Sequence, residues 1–165
     1  MDSRIRGNWN RREGDAFERL IDAGCVWYRN QGIAAISKTP EPMKIIKPMG
    51  NGRFEAIFAK KAQPDYKGVL RGGTAVVFEA KSTSTGRMEQ NRVTEAQTEE
   101  LELYWRLEAE VFVLIDFDHT IFARIPWVLW RDMKGAFGHK HLTPGDCVGL
   151  TVPLCGTLKF LEGIA

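Results

Sequence analysis

Residues 64–81 read Pro64-Asp65-Tyr66-Lys67-Gly68-Val69-Leu70-Arg71-Gly72-Gly73-Thr74-Ala75-Val76-Val77-Phe78-Glu79-Ala80-Lys81. Arg71-Gly72-Gly73 separates two runs of strand-forming residues, and glycine at such a break is typical of a β-hairpin turn. The second run, Ala75 to Phe78, is rich in β-branched and aromatic residues. The stretch therefore predicts two antiparallel strands joined by a three-residue loop.

The length of that loop sets the pairing of the two strands. If Leu70 faces Thr74 across the loop, counting outward places Asp65 opposite Glu79. Side chains alternate along a strand, so Glu79 and Lys81 share one face while the apolar residues between and before them point to the core. Two carboxylates then lie roughly 5 Å apart at Cβ, with an ammonium group beside them.

Two carboxylates this close repel each other, so the arrangement favours a cation between them. A hard divalent metal takes oxygen ligands, and two carboxylates with waters and a substrate phosphate are a usual arrangement for Mg²⁺. Two plainer interpretations stay open: Glu79 and Lys81 could form an exposed ion pair, and Asp65 to Gly68 could be a polar turn.

Size and composition place the chain among ordinary globular proteins. Its 165 residues predict one domain, and the hydrophobic and charged fractions of 44% and 27% are unexceptional. No apolar run approaches the roughly 20 residues of a membrane span, and the first residues lack a signal-peptide core. The three cysteines, Cys25, Cys147 and Cys155, are an odd number without metal-binding spacing. We therefore expect a cytoplasmic protein in a reducing compartment with no membrane partner.

Two helices have residues that could complete the site. From about Arg11 to Tyr28 the apolar residues recur at helical spacing, and Glu18 lies at the edge of that stripe. Glu18 could face a cleft or be a surface glutamate. Thr94-x-x-Gln97 matches a capping box at the start of the second helix, so Gln97 could be a cap, a cleft residue or both.

A basic arm lies between the first helix and the hairpin. Two short strand-like pieces, residues 43–47 and 53–58, flank Pro48-Met49-Gly50-Asn51-Gly52, and proline is excluded from a sheet interior. We expect a projecting hairpin that contacts nucleic-acid phosphates. The alternative is a flexible surface loop. The basic residues of the arm and its flanks are Lys44, Lys47, Arg53, Lys60 and Lys61.

The order of elements predicts an α/β domain with a central mixed sheet flanked by helices. After the second helix, Val111 to Ile115 is a continuously apolar strand, and Asp118-His119 then reads as a hairpin turn. Asp116 to Thr120 also matches the D-x-D-x-T signature of haloacid-dehalogenase-type phosphatases. That enzyme class needs further motifs downstream, and too few residues remain.

With these residues in place, the chain resembles the RecU-type Holliday junction resolvases of bacteria and their phages, in the PD-(D/E)-x-K nuclease superfamily. The resemblance covers nearly the whole chain, although Ala96 stands where the family tends to have histidine before the glutamine. The matching pieces are Asn10–Gly14, Phe17-Glu18, Ile33–Pro42 with its K-x-P-x-P turn, Asp65–Gly68, Phe78–Lys81, Gln97, Phe112–Phe122 and Ile125-Pro126.

The resemblance implies a restriction-endonuclease-like fold with a projecting basic stalk over about residues 41–62, inserted in a single domain, 1–165. It also implies a homodimer that resolves four-way DNA junctions by paired nicks, with recombinase or branch-migration proteins as further partners. Mg²⁺ would be the cofactor, with Mn²⁺ as the alternative, held by Asp65, Glu79 and Glu18. The implied catalytic residues are Lys81, Asp65, Glu79, Glu18 and Gln97, and the implied DNA contacts are Arg11 and Arg12 with the five basic residues of the arm.

Two other functions fit the same fold. One is a protein that binds junctions or modulates a recombinase without cutting. The other is a nuclease of the same superfamily that acts on flaps or other branched DNA.

Overall fold

The structure is a computed structural model that describes residues 3–40, 43–58 and 63–164, with side chains from Gly14 onward except at residue 58. These residues form four α-helices and eleven strands. The helices are α1 (Ser3–Asn30), α2 (Glu95–Arg106), α3 (Trp127–Arg131) and α4 (Met133–Phe137). The strands are β1 (Ala34–Lys38), β2 (Met43–Gly50), β3 (Arg53–Phe58), β4 (Tyr66–Leu70), β5 (Ala75–Thr83), β6 (Met88–Glu89), β7 (Glu110–Phe117), β8 (Ile121–Pro126), β9 (His141–Leu142), β10 (Leu154–Cys155) and β11 (Thr157–Leu158).

Five strands form the central sheet, in the order β1-β4-β5-β7-β8. β5 and β7 run parallel, and the other neighbouring pairs run antiparallel, so the sheet is mixed. α1 covers one face of the sheet, and α2 and α3 cover the other. The predicted α/β class, with a central mixed sheet flanked by helices, is confirmed.

The β4–β5 hairpin has the predicted register. Tyr66 pairs with Phe78, and the Leu70 amide donates to the Thr74 carbonyl at 2.8 Å. One step outward from Tyr66 and Phe78 stand Asp65 and Glu79. The sequence places the core on the other face of β5, the face of Val76, Phe78 and Ala80. The face that carries Glu79 is buried as well, because a second apolar cluster lies under α2 and α3.

Apolar side chains hold α1 against its face of the sheet. Phe17, Ile21 and Tyr28 of α1 are buried, as the helical spacing predicts. They meet a stack of aromatic rings from neighbouring strands, in which Tyr66 and Phe78 lie 4.9 Å apart and almost parallel. Burial of this aromatic surface is the main source of stability on this face. α1 begins well before the predicted start near Arg11 and is 28 residues long.

The end of the chain, which sequence patterns leave unassigned, packs over α1. Phe160 stacks edge-on against Tyr28 at 5.1 Å, and the Tyr28 hydroxyl accepts a hydrogen bond from the Leu161 amide at 2.8 Å. From the other side, Arg124 of β8 donates to the carbonyls of Phe160 and Glu162. Residues 158–162 thus connect the helix to the edge strand of the sheet.

The predicted arm is a hairpin of β2 and β3 that forms its own two-stranded sheet. Asn51 and Gly52 make its turn with positive φ angles of 51° and 73°, a conformation that asparagine and glycine tolerate. All eight residues of β2 are exposed to solvent. We call residues 43–58 the stalk; the predicted flanks 41–42 and 59–62, which include Lys60 and Lys61, lie outside the described residues.

In the part of the chain that the structure describes, no helix is both long enough and apolar enough to cross a membrane.

Two glycines of α1 should respond in opposite ways to alanine. A Cβ at Gly24 would lie 2.8 Å from a ring carbon of Phe160 and 2.9 Å from the Leu158 carbonyl oxygen, whereas a Cβ at Gly14 would meet nothing within 4 Å. We expect Gly24→Ala to lower the free energy of unfolding by about 1–3 kcal/mol through overpacking. Gly14→Ala should raise it by up to about 1 kcal/mol, since alanine favours the helix. Urea unfolding of both variants measures this, and a Gly24→Ala variant as stable as Gly14→Ala would contradict the packing of the C-terminal segment.

Candidate active site

Three charged side chains converge where β4 begins and β5 nears its end. The Lys81 ammonium lies 2.6 Å from Glu79 Oε2 and 3.5 Å from Asp65 Oδ2. Asp65 Oδ2 also accepts a hydrogen bond from the Ala80 amide at 3.0 Å, which fixes the carboxylate against β5. The structure thus brings together the two carboxylates and the amine that the hairpin register predicts.

Glu79 is the buried member of the group. Its side chain has no solvent exposure, whereas Asp65 is about one third exposed. Burial raises the pKa of the Glu79 carboxyl from 4.5 to about 8; the charge of Lys81 lowers it, and the nearby charge of Asp65 raises it further. The charged form of Glu79 is therefore only partly compensated by Lys81, and its buried position favours the protonated form.

Gln97 joins this group from α2. Its Nε2 donates to Glu79 Oε2 at 2.7 Å. The side-chain Oε1 of Gln97 accepts a hydrogen bond from the backbone amide of Thr94, and the backbone amide of Gln97 donates to the Thr94 hydroxyl. These two bonds complete the predicted capping box. Gln97 is therefore both a cap and a cleft residue, and it joins the first turn of α2 to the Glu79 carboxylate.

The donor set fits a hard divalent cation. Among the described residues, no donor lies within hydrogen-bond distance of Glu79 Oε1, a buried atom that must otherwise remain unsatisfied. Asp65 and Glu79 would supply carboxylate oxygens of the kind that Mg²⁺ and Mn²⁺ prefer, with waters completing the coordination. No cluster of three or more His, Cys, Asp or Glu side chains suited to a metal occurs in the described part of the chain.

Glu18, the third predicted carboxylate, has a different partner in the structure. It lies on α1, which covers the opposite face of the sheet from Glu79, and it pairs with Lys38 at 2.5 Å. Burial lowers the pKa of Lys38, but the hydrogen bond and charge of Glu18, with the charges of Asp22 and Asp65, raise it above its usual value. The role of Glu18 as a metal ligand stays a prediction.

Lys38 is the residue near the site that sequence reasoning missed. It ends β1, where it pairs with Tyr66, and the next amide, that of Thr39, donates to the Asp65 carbonyl at 2.8 Å. The available signal is its position at the start of the K-x-P-x-P turn that closes the strand. That position alone does not identify Glu18 as its partner.

The predicted DNA contacts divide into three groups. Lys44, Lys47 and Arg53 lie on the stalk and are exposed. Arg11 and Arg12 lie on α1, in the part whose side chains the structure does not describe. Lys60 and Lys61 fall outside the described residues.

The D-x-D-x-T match belongs to a turn. Asp118 and His119 both have positive φ angles, 52° and 55°, as the predicted hairpin turn requires. Asp116 is buried, and its carboxylate accepts from the His119 amide at 2.7 Å while His119 Nδ1 lies 2.6 Å from its other oxygen. The aspartate that would be the phosphatase nucleophile is thus occupied within the turn, and the phosphatase interpretation has no support from the geometry.

Glu79 should make the stability of the metal-free protein decrease as the pH rises. The folded chain keeps a proton on Glu79 up to about pH 8, whereas the unfolded chain loses it near pH 4.5. The unfolded state then binds fewer protons in this window, so the contribution of Glu79 to the free energy of unfolding falls between about pH 4.5 and about pH 8 and is constant below it.

Urea unfolding in EDTA at several pH values tests this, with Glu79→Gln as the matched control. Glutamine stays neutral and still accepts from Gln97, so the stability of Glu79→Gln relative to the original chain should increase across the window. Parallel stability curves for the two proteins would show that Glu79 titrates normally.

Comparisons with known proteins identify the family. The family model described as "Recombination protein U", RecU, matches residues 12–129, more than half of the chain. The protein named "Holliday junction resolvase RecU" from Streptococcus sanguinis is 32% identical over 110 residues, which are 63% of this chain and 54% of that protein. The protein of the same name from Staphylococcus saprophyticus is 33% identical over 110 residues, 63% of this chain and 52% of that protein.

The chain thus spans about half the length of these curated relatives. Among solved structures, Archaeoglobus fulgidus Hjc, a Holliday junction resolvase, is similar with a TM-score of 0.49 and 16% identity, over 86% of this chain and 91% of that one. The sequence match, together with the geometry of the β4–β5 hairpin, assigns this chain to the RecU family.

Proposed function

We propose that this chain is a metal-dependent endonuclease that resolves four-way DNA junctions by paired nicks. The observation that carries the proposal is the buried Glu79 carboxylate, which lies beside Asp65 and Lys81 where β4 begins and β5 nears its end. Membership of the RecU family supports it, and its relatives bear the name Holliday junction resolvase. Since the chain spans about half of those relatives, the activity itself is the proposal.

Asp65 and Glu79 would hold the divalent ion, Mg²⁺ or Mn²⁺. Glu18 would join as a third ligand by leaving Lys38 and reaching past the end of the sheet to the side of Glu79. When bound, such an ion supplies a water of lowered pKa and neutralises charge on the phosphate under in-line attack. The protein's own groups do the rest. Asp65 is held in place by the Ala80 amide, so its free oxygen presents a fixed position for a ligand.

Lys81 is the cationic group of the site. Its side chain is only slightly exposed, and Glu79 and Asp65 hold the ammonium at the mouth of the site. There it would stabilise the negative charge that develops on the phosphate oxygens and orient the attacking water. Gln97 holds Glu79 Oε2 and so keeps the carboxylate in one rotamer.

The stalk is suited to a branched substrate. Large apolar side chains, among them Met49 and Phe54, are more than half exposed, and the stalk packs as a two-stranded sheet on its own. An isolated hairpin is only marginally stable in water, so contact with a partner would order it. Lys44, Lys47 and Arg53 give it charge for phosphates, and its apolar tip would enter the open centre that a junction has and a duplex lacks.

The remaining features follow from paired cutting. Two nicks on opposing strands need two sites, so the working unit is a homodimer of single domains over residues 1–165. The chain acts on chromosomal or phage DNA in the bacterial cytoplasm, where recombinase and branch-migration proteins are its expected partners. Arg11 and Arg12 of α1, with Lys60 and Lys61 beside the stalk, add phosphate contacts.

Asp65→Asn should abolish cleavage and leave binding intact. The amide keeps the size of the side chain but lacks the charge that holds a divalent ion, so nicking of a labelled four-way junction in Mg²⁺ should fall by about 10²–10³-fold or more. Binding of the junction in EDTA or Ca²⁺ should persist. Asp15→Asn, an exposed aspartate of α1, is the matched control and should cut normally.

Full cleavage by Asp65→Asn would remove Asp65 from the mechanism. Junction binding by the original chain without any Mg²⁺-dependent nicking would instead identify a non-cleaving binding protein. A panel of flap, duplex and junction substrates separates junction resolution from other branched-DNA cleavage.

Deleting the stalk should weaken four-way binding more than duplex binding, because the duplex offers no central opening. A variant without residues 44–58 tests this by fluorescence anisotropy with both DNAs. The control variant keeps the hairpin but replaces Lys44, Lys47 and Arg53 with glutamine. It should lose affinity for both DNAs alike, and the salt slope of binding should decrease by about one for each cationic side chain that no longer neutralises a phosphate. Equal losses on both substrates after the deletion would reduce the stalk to a general electrostatic patch.

A further inference from the structure

A small polar pocket adjoins the site on the same face of the sheet. β5 continues past Lys81 to Thr83, and alternate residues of a strand share a face, so Glu79, Lys81 and Thr83 form a row with about 7 Å between successive Cα atoms. Beyond the row, the chain turns at Gly86, and the 3₁₀ turn Gln90–Arg92 brings Arg92 to the lining of the pocket. The enclosed space is about 220 Å³ and is lined by residues 82–85 and 87–89 and by Arg92.

The loop that forms the pocket is braced by its own threonines. The Thr83 hydroxyl donates to the Arg87 carbonyl at 3.0 Å and accepts from the Thr85 amide at 3.3 Å. The Thr85 hydroxyl also lies within 3.3 Å of the Arg87 carbonyl. These bonds hold the loop in one conformation before any ligand arrives, which lowers the entropic cost of binding.

The pocket carries available hydrogen-bond donors and a net positive charge. Arg87 pairs with Glu89 at 2.5 Å, so that the acidic residue of the pocket is neutralised. Within the described ranges, no carboxylate lies within ion-pair distance of Arg92, and no protein group lies within hydrogen-bond distance of the Ser84 hydroxyl. A guanidinium with a neighbouring hydroxyl is a donor set that recognises phosphate oxygens.

We propose that this pocket, which we call the phosphate pocket, binds a backbone phosphodiester of the cleaved DNA strand next to the scissile one. Arg92 makes the ionic contact, and Ser84, which follows the end of β5, donates a hydrogen bond. The pocket continues the row of Glu79 and Lys81, so a strand bound there is held with the neighbouring phosphodiester over the carboxylates. That the bound strand is the cleaved one rests on the proposed nuclease function. That the pocket binds a phosphate rests on the residues of the pocket alone.

The test measures how DNA binding depends on salt. Arg92→Gln removes one phosphate contact from an exposed position, so the slope of log K against log salt for a labelled four-way junction in EDTA should decrease by about one. Affinity at low salt should fall on the order of tenfold. Arg29→Gln, in the last turn of α1, is the charge-matched control and should bind as the original chain does. Thermal unfolding of both variants shows whether each is folded.

The outcomes distinguish this proposal from the proposed function. A salt slope for Arg92→Gln equal to that of Arg29→Gln overturns the phosphate pocket, while nicking of junctions by the original chain leaves the nuclease function standing. A slope that depends on Arg92, in a chain that never nicks, supports the pocket and overturns the nuclease function. An original chain that binds no DNA overturns both.

Discussion

The burial of one carboxylate, that of Glu79, organises the site and the elements around it. A negative charge out of contact with water is costly unless other groups compensate it, and here Lys81 and Gln97 compensate one of its oxygens. Gln97 can reach it because the first turn of α2, capped by Thr94, lies beside Glu79 of β5. The start of a helix, the register of a hairpin and the position of an ammonium group are therefore coupled through a single side chain.

The residues of the site are close together in sequence, whereas the residues of the core come from the whole chain. Asp65, Glu79 and Lys81 all come from one hairpin, and Gln97 comes from the next helix, so the site needs few long-range contacts of its own. Its rigidity comes from the packing on both faces of the sheet, under α1 on one side and α2 on the other. A buried sheet of this kind fixes side chains more closely than a loop does, which suits chemistry that depends on placement.

Sequence reasoning predicts the parts of the molecule that local rules determine. The glycine turn sets the β4–β5 register, Thr94 and Gln97 form a capping box, and Asp118 with His119 forms a tight turn; each is confirmed. The ion pair of Glu18 with Lys38 joins two elements twenty residues apart, and periodicity carries no information on such a contact. The C-terminal segment was unassigned for a related reason: its short runs have no period, and its position depends on Tyr28 and Arg124, far away in sequence.

The stalk also limits how copies of this chain can meet. Two exposed strands with apolar side chains would ordinarily invite another chain to extend the sheet edge to edge. Pro48 lacks an amide hydrogen, and the pairing of β2 with β3 shifts register at Ile45/Lys47 and again at Pro48/Gly50. These irregularities interrupt the ladder of free backbone groups on the outer edge of β2, and the lysines beside them repel a like-charged neighbour. The hairpin can thus expose apolar side chains and still resist edge-to-edge growth into a fibre when the protein is concentrated.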